Sequence, residues 1–232
     1  MVGAIAVASA SPPGAAAEAM DLQALYQTLL SHYGEQSWWP ADGPFEVTVG
    51  AILTQNTAWS NVEKALDSLR AADALNPEAL STMDTDRLAA LIRSSGYYNQ
   101  KARRLSGFAR WYREQGGHEV LRQRPTETLR AQLLALHGIG PETADDMLLY
   151  AFDHPVFVID SYTRRLLQRL RLIAGDEPYD RLQAGFHQAL APEVATYRQY
   201  HALIVEHAKT HCRKRPSCAQ CPLSDSCAEA SA

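Results

Sequence analysis

The chain has 232 residues, 46% hydrophobic and 21% charged, and its 22 Lys and Arg against 26 Asp and Glu give a formal charge of -4. That composition excludes collagen, low-complexity disorder and a disulfide-dense mini-protein, and no apolar run reaches the roughly 18 residues that span a bilayer. The net negative charge also argues against DNA, because affinity for DNA comes largely from neutralised phosphates.

The charge is unevenly placed, however. Glu18, Asp21, Glu35, Asp42, Glu46 and Glu63 all precede Lys64, the first basic residue. Residues 101–130 then hold eight Lys and Arg against three Glu, a run that reads either as a solvated helix face or as a basic surface.

In chain order, residues 1–20 are apolar without a basic start and are interrupted by Pro12 and Pro13. They read as a disordered tail rather than a secretion signal, with Met20 as an alternative start and a cytoplasmic location expected. Asp21 has the chemistry of an N-cap, and Leu22, Leu25, Tyr26, Leu29, Leu30 and Tyr33 recur at helical spacing until Gly34. A loop with Trp38, Trp39 and Pro40 follows, and then Phe45 to Thr57, whose apolar run fits a helix and a buried strand equally. Ser60 and Glu63 form a capping-box pattern for a helix carrying Val62, Leu66 and Leu69. Apolar residues three and four apart predict further helices at about 86–94, 100–115, 127–136, 142–152, 160–172, 179–190 and 195–210. Only Val156 to Ile159 looks like a strand, so the predicted class is all-α.

Three motifs carry chemistry. Leu136 to Ala144 places Gly138, Ile139 and Gly140 between two helices. Glycines one residue apart permit a sharp turn, and the next helix starts at once with its positive dipole end outward, so this hairpin can grip phosphate through backbone N–H groups. Its simpler reading is a plain helix-loop-helix turn. Further on, Asp160 follows an apolar run at a helix start; it is either a structural N-cap or a carboxylate that stabilises a developing cation. Lastly, Cys212, Cys218, Cys221 and Cys227 all fall in the last 21 residues. A single close pair flanked on both sides suits an iron-sulfur cluster better than zinc, and either better than disulfides in a reducing compartment. Arg213, Lys214 and Arg215 lie inside the first cysteine spacing, where a rigid loop would display them to phosphate.

Together with Gly96-Tyr97-Tyr98-Asn99-Gln100-Lys101-Ala102, these motifs make residues 21–227 resemble the endonuclease III branch of the helix-hairpin-helix DNA glycosylases. The resemblance implies two helical domains with a cleft between them: residues 43–152 with the hairpin, and residues 21–42 plus 153–232 with a [4Fe-4S] cluster on the four cysteines. It implies a monomer, associated with the nucleoid, that flips a damaged base out of double-stranded DNA and cleaves its glycosidic bond with Asp160 as the catalytic carboxylate. Tyr98, Asn99, Lys101, the hairpin and the loop of Arg213 to Arg215 would contact DNA, and Gln55 would fill the space the base leaves.

Two departures from the family pattern bear on activity. The first cysteine spacing has five residues where the family usually has six. More important, Glu142 stands where bifunctional members carry the lysine that forms a Schiff base, and a glutamate cannot form an imine. A monofunctional enzyme that uses water is therefore expected. Trp38, Trp39, Pro40, Trp59, Glu142 and Lys209 look most like the base pocket of the 3-methyladenine glycosylases, and aromatic faces attract a cationic alkylated purine. The rivals are a thymine or uracil mismatch glycosylase, an oxidised-pyrimidine enzyme, and a non-catalytic iron-sulfur DNA-binding protein.

Overall fold

A computed structural model describes residues 20–231; the tail expected at 1–20 lies, apart from Met20, outside them. In chain order the helices are α1 (Leu22–Tyr33), α2 (Pro44–Leu53), α3 (Trp59–Ala71), α4 (Pro77–Thr82), α5 (Thr85–Leu91), α6 (Tyr98–Glu114), α7 (His118–Leu121), α8 (Thr126–Leu134), α9 (Pro141–Asp146), α10 (Ser161–Arg169), α11 (Tyr179–Ala189) and α12 (Val194–Thr210). A π turn, Met147–Ala151, continues α9. Among the described residues there is no strand, and no helix is long and apolar enough to cross a membrane. The fold is all-α, in two compact units: Trp39–Val156, and the described part of Met1–Trp38 with Phe157–Ala232.

In the terminal unit, α1 begins and ends where its chemistry dictates. Asp21 accepts the Ala24 N–H at 2.7 Å, and Gly34, at φ 70°, returns its own N–H to the Leu30 carbonyl at 2.9 Å. The strand expected at Val156 to Ile159 is absent. Phe157 to Ile159 run extended and buried, and α11 takes the part of a neighbouring strand. Phe157 donates its N–H to His187 Nε2 at 3.0 Å and accepts from Gln183 Nε2 at 2.7 Å, while Ile159 donates to Tyr179 Oη at 3.3 Å. These three side chains are spaced one turn apart on α11, so one helix face pairs the buried backbone groups that a sheet would otherwise pair.

In the central unit, Pro44 opens α2 and every residue from Glu46 to Leu53 is buried. A helix buried on all sides has no polar face, which is why its periodicity is ambiguous. The capping box is a miss: α3 starts at Trp59, its N-cap Ala58 has no side-chain bond, and Glu63 instead accepts from Trp59 Nε1 at 3.1 Å. The short α4 and α7 escaped the periodicity reading, although Asn76 and Pro77 mark the start of α4 by an N-cap bond to Ala79 N–H at 2.8 Å.

Half of the basic run is engaged within the protein. Arg113 pairs with Glu78 and bonds Ser81, Arg122 lies 3.6 Å from Asp153, and Arg124 bonds Gln132 and the Gln115 carbonyl. Arg130 grips the fully buried Asp145 through two bonds of 2.7 and 3.1 Å. Much of the run is thus spent on internal partners distant in sequence.

Candidate functional site

Between α8 and α9 the chain turns at Gly138, whose φ is 81°. A Cβ there would stand 2.2 Å from Arg104 Nε, so the Arg104 side chain packs directly against the turn. Arg104 is itself held: its Nη1 donates to Gln55 Oε1, and Gln55 Nε2 donates to the Gly138 carbonyl and to Thr143 Oγ1, each at 3.0 Å. Gln55, in the turn after α2, and Arg104 of α6 therefore clamp the hairpin. Ile139 corrects the expectation of a DNA contact at that residue. Its side chain is 6% exposed and its N–H closes onto the Leu136 carbonyl at 3.1 Å, so it fixes the loop from inside. Glu142 is exposed in the first turn of α9.

The two glycines of the hairpin differ in kind. Gly140 has φ -94° and open space where a Cβ would go. Gly138→Ala is expected to cost about 2 kcal/mol or more through strain and collision, and Gly140→Ala about 0.5 kcal/mol or less, as read by urea denaturation.

Trp39 meets Trp59 edge-on at 5.2 Å between centroids and Tyr150 at 5.4 Å, and its ring fits over Gly50, where a Cβ would come within 3.3 Å. This aromatic group belongs to the central unit. Trp38 belongs to the terminal unit, where the Lys209 ammonium of α12 sits 4.7 Å from its ring centroid. Pro40 is exposed.

Asp160 is the N-cap of α10 and is also buried. Its Oδ1 accepts the Thr163 N–H at 2.7 Å, and His201 Nε2 lies 3.6 Å from Oδ2. Burial pushes its pKa up, but His201 and Thr163 outweigh that and hold the carboxyl below its usual range.

All four cysteine thiols are free and line one pocket with Leu166, Arg169 and Leu223. Arg169 organises the loop: its Nη1 reaches Cys212 Sγ at 3.2 Å and the Arg213 carbonyl at 2.7 Å, and its Nη2 the Lys214 carbonyl at 3.2 Å. Arg213, Lys214 and Arg215 are exposed. Burial raises the pKa of Cys221, and the three other thiols add to the rise. Crowded, partly buried thiols of this kind fit a positive metal centre, which relieves their repulsion by taking them as thiolates. Among the described residues, no three His, Cys, Asp or Glu are arranged to hold a metal ion.

The sequence model of the HhH-GPD superfamily of base excision DNA repair proteins matches residues 49–192, more than half of the chain. The chain belongs to the HhH-GPD superfamily. A protein of Methanocaldococcus jannaschii provisionally described as a DNA repair glycosylase is 45% identical over 206 residues, covering 88% of this chain and 94% of its own. Endonuclease III of Thermotoga maritima is 30% identical over 185 residues, covering 79% and 82%. Among solved structures, the 3-methyladenine DNA glycosylase of H. pylori bound to 1,N6-ethenoadenine is similar at TM-score 0.67 and 32% identity, covering 81% of this chain and 95% of that one. An endonuclease III in a non-covalent complex with DNA shares the fold at TM-score 0.77 and 20% identity, covering 90% and 95%.

Within this HhH-GPD chain, Tyr98 and the exposed Asn99 lie at the start of α6, Tyr98 under the Arg93 guanidinium at 5.8 Å. Lys101 is a correction. Only 1% exposed, it donates to the carbonyls of Leu53 at 2.8 Å and Ser95 at 2.6 Å, and burial together with Arg104 pulls its pKa down to about 8. The ammonium ties the end of α2 to the start of α6 and is out of reach of DNA. Lys101→Met is expected to lower stability by about 2–4 kcal/mol by leaving two buried carbonyls unpaired, without changing the salt slope of DNA binding; calorimetry and a salt titration check this. Arg104, Tyr150 and His201 lie against candidate site residues, Gln55 and Gly138, Trp39, and Asp160 in turn, and were not singled out from the sequence as site residues. Arg104 could have been singled out within the basic run, but Tyr150 and His201 sit in helical patterns that read only as core.

Proposed function

We propose that this base excision repair glycosylase is monofunctional and hydrolyses the glycosidic bond of alkylated purines, 3-methyladenine foremost, in double-stranded DNA, acting as a monomer. The observation that carries the reading is Glu142, a carboxylate at the start of α9 where Schiff-base chemistry needs an amine. The chain has only four lysines. Lys101 is buried on two carbonyls, Lys209 is stationed over Trp38, and Lys64 and Lys214 are exposed on α3 and on the cysteine loop. Water is then the nucleophile and an abasic site the product.

Support for the substrate comes from the aromatic group around Trp39 and from the named substrate of the H. pylori relative. Alkylation at a ring nitrogen makes a purine cationic, so electron-rich faces such as those of Trp39 and Trp59 hold it better than a neutral base. The face of Trp38 already carries a cation in Lys209. A cationic base leaves readily with little acid assistance. What remains is to stabilise the oxocarbenium-like sugar and orient water, the role given to the ionised Asp160.

Cys212, Cys218, Cys221 and Cys227 would hold a [4Fe-4S] cluster, which supplies a rigid centre for the loop bearing Arg213, Lys214 and Arg215. Arg169 orients that loop through the Cys212 sulfur and two carbonyls. Gly138 and Gly140 would take the DNA backbone.

The test is release of free base from methylated DNA and from duplexes carrying ethenoadenine, uracil or mismatched thymine. Fastest release of 3-methyladenine is expected; release of uracil or thymine with no alkylated purine would overturn the substrate reading.

A further inference from the structure

The carboxylate of Asp160 is held from two sides within the terminal unit. Thr163 N–H fixes Oδ1 against the start of α10, and Oδ2 faces His201 Nε2 of α12 within ion-pair range, at 3.6 Å. The two side chains are only 12% and 6% exposed. The His201 ring stands edge-on to Phe157 at 6.5 Å, and Phe157 in turn is stacked on Phe186 at 3.8 Å and bonded by α11 at both its N–H and its carbonyl. One extended run thus carries Asp160 and seats the imidazole that faces it.

We propose that His201 is a positioning residue for base excision: it keeps the Asp160 carboxylate charged and aimed while the glycosidic bond breaks. The inference rests on the role given to Asp160 above. A buried carboxylate with neither a hydrogen-bond donor nor a charge beside it takes up a proton, and a neutral carboxyl has little to offer an oxocarbenium. Burial acts in that direction here, and His201 is the foremost group opposing it.

The other titratable groups around the run are otherwise engaged. Tyr179 and His187 of α11 bond its backbone, and Tyr197 and Tyr200 of α12 lie against Phe157 with pKa values raised by burial, so they stay neutral. On α10, Arg164 donates to the Glu177 carbonyl and Arg165 to that of Cys212.

The experiment measures single-turnover base release against pH for wild type, His201→Leu, His201→Gln and His187→Ala, the last loosening the same run without touching the charge on Asp160. Activity falls in acid as Asp160 is protonated, so removing His201 raises the pH at which half the rate is lost. A rise of about one to three pH units is expected for His201→Leu. A smaller rise is expected for His201→Gln, with the affinity for lesion DNA unchanged in both. His187→Ala should lower the rate by a similar factor at every pH. An acid limb that stays in place in both His201 variants, or His201 variants that behave like His187→Ala, would overturn the proposal. If His201→Leu fails to fold, the position of the limb in His201→Gln decides. Wild-type protein that releases no base from any lesion would instead overturn the functional reading itself.

Discussion

Asp160→Asn is expected to reduce base release by on the order of 10³-fold or more while the protein melts within a few degrees of wild type. The two halves of that result come from the two roles of one side chain. Asparagine caps a helix about as well as aspartate, so the bond to Thr163 N–H, 2.7 Å in the native chain, survives the change. What is lost is the charge, and with it the stabilisation of a cationic sugar. Single-turnover assays and thermal melting together check this. An active, folded variant would show Asp160 to be a cap alone and remove it from the chemistry.

Cys221→Ser is expected to abolish the brown colour, to bring iron from about four atoms per chain to near zero, and to lower the melting temperature by about 10 °C or more. Its thiol shares a pocket with three others, and His207, 1% exposed, lies 3.9 Å from its sulfur. Loss of a cluster held there would leave that packed end of α12 and the loop of Arg213 to Arg215 without a centre. Iron analysis and calorimetry report the effect. Colour, iron and stability all unchanged would contradict the cluster.

Helices with one buried face, such as α1 and α6, were legible because 3.6-residue spacing is itself the folding signal. α2 was not, because burial on all sides erases the period. Phe157 to Ile159 carry the residues of a strand, yet the groups that pair them are Tyr179, Gln183 and His187 on a helix that begins 20 residues later, and no local pattern encodes that. The partners of the basic run were hidden for a related reason. Charge can be counted along a sequence, but whether Arg130 meets phosphate or the buried Asp145 depends on which carboxylate the fold delivers. At the site, the hairpin glycines, Asp160 and the cysteines were visible because their chemistry is carried by residue type and spacing. The clamp of Gln55 and Arg104 on Gly138, and the seating of His201 against Asp160, arise only when distant helices meet.

The central claim is hydrolysis without an amine nucleophile. Its most direct test uses a duplex with a single ethenoadenine or 3-methyladenine, treated with the protein and split into samples with and without hot alkali, alongside a borohydride trap. Strand breaks that appear only after alkali, with no trapped adduct, are the predicted result. Breaks that form without alkali, or a covalent protein–DNA adduct after borohydride, would contradict it.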